Sequence, residues 1–198
     1  YNESTFILLD GMPLVWFSRF LGIFRVRITG VDVTDKILKD FNRILVIGSS
    51  AAVMKIVQEK YFGFKRQEKQ IHAYTDILDL NNLNQLKEIC RIITQYEPDF
   101  IILCLGFPKQ EKLLLLLQDV YNISKYNFAC VGGALDIISG KFIRSPKALQ
   151  SIGGEWLWRM LQDPFRLGPR YMKDFIFFNK VILSIAITNC LKLFRGQN

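Results

Sequence analysis

A chain of 198 residues and 23.0 kDa, half of it hydrophobic, is long enough to bury a core without disulfides or a structural metal. Its net charge of +8 and pI near 9.4 favour a polyanionic partner: nucleic acid, an anionic membrane surface or a phosphorylated substrate. Cys90, Cys104, Cys130 and Cys190 form no CxxC pair and His72 is the only histidine, which disfavours a zinc site and suits a reducing, cytoplasmic setting.

The first element, in "STFILLDGMPLVWFSRFLG", is a strand-like run that turns at Asp10-Gly11 and continues as an aromatic-rich helix. Asp10 has two readings there, a general base on a strand-end turn or one half of an ordinary Asp-Gly turn. The segment "RILVIGSSAAVMKIVQEKYF" (43–62) predicts strand, small-residue turn and helix, and the turn at Gly48-Ser49 lets backbone N–H groups approach a diphosphate. It carries neither GxGxxG nor the P-loop lysine pattern, so plain punctuation remains the other reading. A second strand-helix step follows, with "KQIHAY" as strand and 82–96 as helix, and His72 reads as a strand residue rather than a catalytic one. The third is "DFIILCLG" (99–106) followed by a helix over 108–120, and the fourth strand is "NFACVGG" (127–133).

Strands alternating with helices predict an α/β fold of Rossmann type, a mostly parallel sheet flanked by helices. Ligands in such sheets bind beyond the carboxyl ends of the strands, where helix N-termini face anions. The loop Gly106-Phe107-Pro108-Lys109-Gln110-Glu111 lies at such an end. Lys109 suits a phosphate and Gln110 a sugar or base, although a solvated helix start explains the loop equally well. Gly132 and Gly133 permit close backbone approach, and Asp136 either accepts from ligand hydroxyls or caps a helix.

The C-terminal part is basic: 141–173 holds Lys141, Arg144, Lys147, Arg159, Arg166, Arg170 and Lys173 against Glu155 and Asp163. Pro164 and Gly168-Pro169 argue against one continuous helix in this region. Residues 174–194 are apolar but interrupted by Asn179, Lys180, Thr188 and Asn189, which reads as an interfacial or packed helix rather than a span. The division expected is a Rossmann-like domain over 1–150 and a basic, apolar helical appendage over 151–198.

Taken together, "LLDGMPLV", "CLGFPKQEK" and "VGGALDIISGKFIRSPKALQSIGGEWLWRMLQDPFRLGPRY" resemble the WecG/TagA/CpsF glycosyltransferases, glycosyltransferase family 26, in residues and order from about Leu8 to Tyr171. The resemblance implies inverting transfer of a sugar from a UDP-sugar donor to a lipid-linked acceptor of undecaprenyl-diphosphate type, in cell-surface polysaccharide biosynthesis. It implies no cofactor and no Asp-x-Asp metal site. Asp10 takes the place of the family's base, and Gln110 falls at the donor or active-site pocket. Arg27, Gly30 and Asp32 in "RITGVD" and Gly48 and Ser49 in "IGSS" match pocket segments. Arg159, Arg166 and Arg170 match an appendage directed at the membrane and the acceptor diphosphate. Family members carry a further strand and helix before the "DG" segment, which residues 1–198 are expected to lack.

Peripheral attachment to the inner face of the cell membrane follows from the basic and apolar appendage. Oligomeric state is open, a homo-oligomer included. The competing expectations are a non-catalytic nucleotide-sugar or polyanion-binding module and an inactive truncated homologue. Nucleic acid is disfavoured because the positive charge is not interleaved with aromatics along an exposed sheet motif.

Overall fold

Two aliphatic runs, RILVI and FIIL, flanked by the more mixed QIHAY and FAC, build the sheet at the centre of the computed structural model. Strands β1 (Arg43–Ile47), β2 (Gln70–Tyr74), β3 (Phe100–Leu103) and β4 (Phe128–Cys130) are all parallel, in the order β2-β1-β3-β4. The structure describes residues 6–8, 10–20, 22–23, 26–62, 69–121, 123, 125–165, 167–169, 171–173, 175–177 and 179–180.

The two inner strands are apolar at successive positions because both of their faces are covered. Ile44, Val46 and Ile102 pack on one face with α2 (Gly30–Asp40), α3 (Ala51–Phe62) and α6 (Ala134–Ile138). Leu45, Ile47, Ile101 and Leu103 point the other way, onto α4 (Leu83–Tyr96) and α5 (Lys109–Leu115). Each such side chain, fully buried, contributes about 1.5–3 kcal/mol relative to exposure. The fold is therefore the α/β sheet flanked by helices that the strand-helix alternation predicts.

Differences from the sequence reading lie mainly at element ends. β3 stops at Leu103 and β4 spans three residues, because the chain leaves the sheet at the points where the loops of the site begin. The helix expected over 108–120 is α5 followed by a π-helical turn, Leu116–Val120. Residues Phe6–Leu8 are exposed and outside any strand, whereas α1 (Met12–Phe20) follows Asp10-Gly11 as expected. Helix α2 was not anticipated, although its start carries a clear signal. Thr29 accepts from the Asp32 N–H while the Asp32 carboxylate accepts from the Thr29 N–H, a reciprocal capping box. Val31, Thr34, Ile37 and Leu38 then form its buried stripe.

The chain divides into two compact units after Arg144. The second contains α7 (Lys147–Ser151) and α8 (Glu155–Gln162). Helix α8 ends where Asp163 leaves helical geometry (φ −146°, ψ 67°), and helical backbone resumes at Pro164, a residue suited to a first turn. Gly168 and Pro169 are themselves helical, so the interruption falls only at the first of the two expected places. Of the apolar 174–194 segment, residues 175–177 and 179–180 are described and helical, and the remainder lies outside the described residues. Among the described residues, no helix is long and apolar enough to cross a membrane.

Candidate functional site

The order β2-β1-β3-β4 makes the chain switch direction across the sheet between β1 and β3, and a ligand crevice opens at the carboxyl ends of such strands. Ile47 and Leu103 are register partners there, so Gly48 and the Cys104-Leu105-Gly106 turn leave the sheet side by side. Gly48 has φ +90°, and a Cβ on it would lie 2.4 Å from Leu105 Cδ2. Glycine at 48 is thus required by backbone angle and by the closeness of Leu105. Ser49 is buried beside it, while the exposed Ser50 hydroxyl accepts from the Val53 N–H (3.4 Å) and starts α3.

In loop 106–111, residues 106–108 face solvent while Gln110 turns inward. The Gln110 side chain is buried; its Oε1 accepts from the Gly132 N–H (3.0 Å) and its Nε2 donates to Glu111 Oε1 (2.9 Å). Gln110 therefore ties the loop after β3 to the loop after β4. Glu111 Oε2 is buried with no hydrogen-bond partner. Lys109 Nζ donates to the Leu78 carbonyl, which leaves an ammonium two further N–H groups. Gly106 accepts from the Lys109 N–H through its carbonyl and has open space where a side chain would stand.

Gly132 follows β4, and Gly133 precedes α6 with φ −80°, an angle open to any residue. Asp136 does not cap that helix: it sits in the first turn, 3.2 Å from Lys141 Nζ. The Asp136 carboxylate and, more strongly, burial push the Cys104 thiol above its ordinary range.

The start of α2 closes on the same edge of the sheet. A Cβ at Gly30 would lie 3.2 Å from the Val131 carbonyl oxygen, so only a residue without one lets the helix approach β4 this closely. Three residues earlier, Arg27 holds Asp10: Nε donates to the Asp10 carbonyl (2.5 Å) and Nη2 lies 3.3 Å from Oδ1. The Asp10 carboxylate is exposed and the Arg27 side chain largely buried.

Arg144 Nη2 lies 2.7 Å from Asp32 Oδ1 and donates at 3.5 Å to the Thr29 hydroxyl, which itself donates to Asp32 Oδ2 (2.7 Å). Partial burial alone raises the Asp32 carboxyl, but the Thr29 hydrogen bond and the Arg144 guanidinium outweigh it and hold the carboxyl below its usual range.

The first unit thus brings Asp10 to Arg27, and Gln110 to Gly132, with Gly48, Ser49, Gly106, Gly133 and Asp136 at the same strand ends or in the turns that follow them. Arg159 belongs to the second unit, half-buried on α8. Arg166 and Arg170 lie outside the described residues. Sequence reasoning missed the roles of Thr29 and Arg144. The Thr-x-x-Asp spacing was a readable signal for the first, but nothing local marks Arg144, whose partner is 112 residues away.

A parallel sheet with a direction switch and helices on both faces defines a Rossmann-type domain. Residues 1–189 match the family described as "Glycosyl transferase WecG/TagA/CpsF family", and the chain belongs to it. Among curated proteins it is similar to an N-acetylglucosaminyldiphosphoundecaprenol N-acetyl-beta-D-mannosaminyltransferase of Staphylococcus aureus strain MW2. The two are 25% identical over 177 residues, 84% of this chain and 65% of the relative. The protein of the same name from strain MRSA252 is 27% identical over 176 residues, with the same coverage. The chain therefore spans 65% of the length of these relatives.

Proposed function

We propose that the chain is an inverting glycosyltransferase that moves a hexose or N-acetylhexosamine from a UDP-sugar to a lipid-diphosphate-linked saccharide of undecaprenyl type. Cell-surface polysaccharide assembly is the process it would serve. The observation that carries this reading is the Asp10–Arg27 pair in a chain that belongs to this family. The relatives' printed names, with a diphosphoundecaprenol-linked acceptor, support the acceptor class.

In this mechanism the Asp10 carboxylate takes the proton of the acceptor hydroxyl as its oxygen attacks the donor anomeric carbon. The bond from that carbon to the UDP diphosphate breaks, and UDP leaves with the electron pair. Arg27 keeps the carboxylate oriented, since its Nε–H is committed to the Asp10 backbone and its Nη2 approaches Oδ1. Charge growing on the leaving diphosphate is met by helix N-termini and basic side chains, Lys109 among them, without a metal ion. Gln110 and Gly132 shape the pocket through their mutual hydrogen bond instead of through first contact with the sugar. Residues 151–198 serve as the membrane- and acceptor-binding appendage, to whose affinity for the lipid diphosphate Arg166 and Arg170 contribute charge.

The test is UDP release from a panel of UDP-sugars, with and without a lipid-diphosphate N-acetylglucosamine acceptor. Acceptor-dependent release that falls by roughly 10²–10⁴-fold in Asp10→Asn is expected of a lost general base. Full activity in that variant refutes the assignment of Asp10, and activity abolished by EDTA and restored by Mg²⁺ refutes metal independence.

A further inference from the structure

The geometry points to Arg144 as a positioning residue: through Asp32 and Thr29 it fixes the segment that carries Arg27, and through Arg27 it sets the Asp10 carboxylate. The inference deepens the reading above and rests on Asp10 as the base.

Three observations carry it. The first is reach. Thr29 is extended (φ −89°, ψ 154°) and only two residues from Arg27, so a shift at the cap is passed along a span of roughly 7 Å. The second is that this cap is held more firmly than a capping box requires. Thr29 and Asp32 already satisfy each other's backbone N–H groups, and Arg144 adds a charged donor from 112 residues along the chain. The Thr29 residue is buried, so its hydroxyl, which serves as donor to Asp32 and acceptor for the Asp32 N–H and Arg144, has little room to find other partners. The third is close packing. Gly30 abuts the Val131 backbone, which blocks α2 from relaxing toward β4 when the pair is lost.

A structural role confined to α2 differs from a positioning role in one measurable respect: only the second acts through Arg27. In acceptor-dependent transfer, Arg144→Gln is expected to lower kcat about tenfold or more with donor KM changed less than about twofold, because misplacement by an ångström costs on this scale. In an Arg27→Gln background the same substitution is expected to cost no more than about twofold, a strong coupling in the double-mutant cycle. Equal costs in both backgrounds overturn the inference.

The second readout needs no activity. In full-length protein with ¹⁵N-labelled arginine, the Arg27 Nε–H is expected to be resolved and slow to exchange, because it donates to the Asp10 carbonyl. Arg144→Gln should collapse it to the solvent-exposed value while the Arg43 resonances, from a guanidinium seated on Tyr96, stay unchanged. An Arg27 signal unmoved by Arg144→Gln, or unprotected in the wild type, overturns the positioning role whether or not the chain transfers sugar. Absent turnover with a normal Arg27 response would instead strike the functional reading alone. Asp32→Asn, which keeps size and a cap acceptor but removes the ion pair, is read by the same criteria should Arg144→Gln fail to fold.

Discussion

Gln110 shows how a residue marked by family resemblance can act at one remove from the chemistry. Both ends of its buried amide are engaged, by the Gly132 N–H and by Glu111, in the first turn of α5. Gln110→Ala strands a main-chain donor, so a loss of about 1–3 kcal/mol is expected in urea unfolding, together with reduced transfer. Gln110→Glu, which keeps the acceptor for Gly132 but sets a carboxylate against Glu111, should recover less than half of that loss. Gly48→Ala is expected to cost about 1–2 kcal/mol from its left-handed backbone alone, with the Leu105 clash adding to it. A Gly48→Ala protein as stable as wild type would mean the turn between β1 and α3 can rearrange. Gly48 was legible in the sequence as a site candidate because it sits at a strand-to-loop punctuation, while Asp10 and Gln110 stood out by their Asp-Gly turn and helix-start loop. What they touch was not: the Gln110–Gly132 bond spans 22 residues and the Arg27–Asp10 contact 17, distances at which local pattern carries no information.

At the level of elements, hydrophobic runs located the four strands and the helices after β1, β2 and β3, most clearly at the inner strands β1 and β3, where burial on both faces leaves an unbroken aliphatic signature. Helix α2 escaped since its polar residues, Asp32, Asp35, Lys36, Lys39 and Asp40, dilute the apolar stripe to four positions. Its stability has a predictable acid limb. The Asp32 carboxyl is held below its ordinary value of 3.8 in the folded state, so its contribution is fully present above that value and lost as pH falls through the folded one. Both partners are more than a third exposed on their side chains, which limits the ion pair to about 1 kcal/mol or less. Wild type and Arg144→Gln should therefore differ in urea midpoint at about pH 6, and the difference should shrink as pH falls below 3.8 through the lowered folded value. A difference that persists undiminished at the lower pH would assign the effect to packing rather than to charge. Tyr61 supplies an independent check on the same helix. Burial and then the neighbouring Asp35 carboxylate raise its phenol, and the hydroxyl donates to that carboxylate at 2.6 Å. Tyr61→Phe is expected to lose about 1 kcal/mol, read by thermal unfolding.

For the whole molecule the argument turns on how charge and apolar surface are distributed. The excess of positive charge is concentrated in 141–173, and the described residues of the second unit expose Phe165, Met172, Phe175 and Phe177. A soluble partner of ordinary polarity does not require that combination, whereas an anionic bilayer rewards both halves of it. The two contributions separate experimentally because they respond to different variables. Vesicles containing anionic lipid should sediment the full chain at low salt, and raising salt from about 0.1 M to 0.5 M should weaken binding by screening the basic residues. Replacing Phe175 and Phe177 together by Ser leaves the charge unchanged. Since burying each ring is worth roughly 1.5–3 kcal/mol, even shallow insertion predicts at least tenfold weaker binding at constant salt. If the double variant binds as wild type does, attachment is electrostatic alone, and the apolar face must be covered by something other than lipid. If neutral vesicles bind equally well, the positive charge has a different purpose, and the lipid-linked diphosphate becomes the better explanation for it. Either result would redistribute roles between the two chemistries that the sequence places side by side, an anion to be held and an apolar surface to be met.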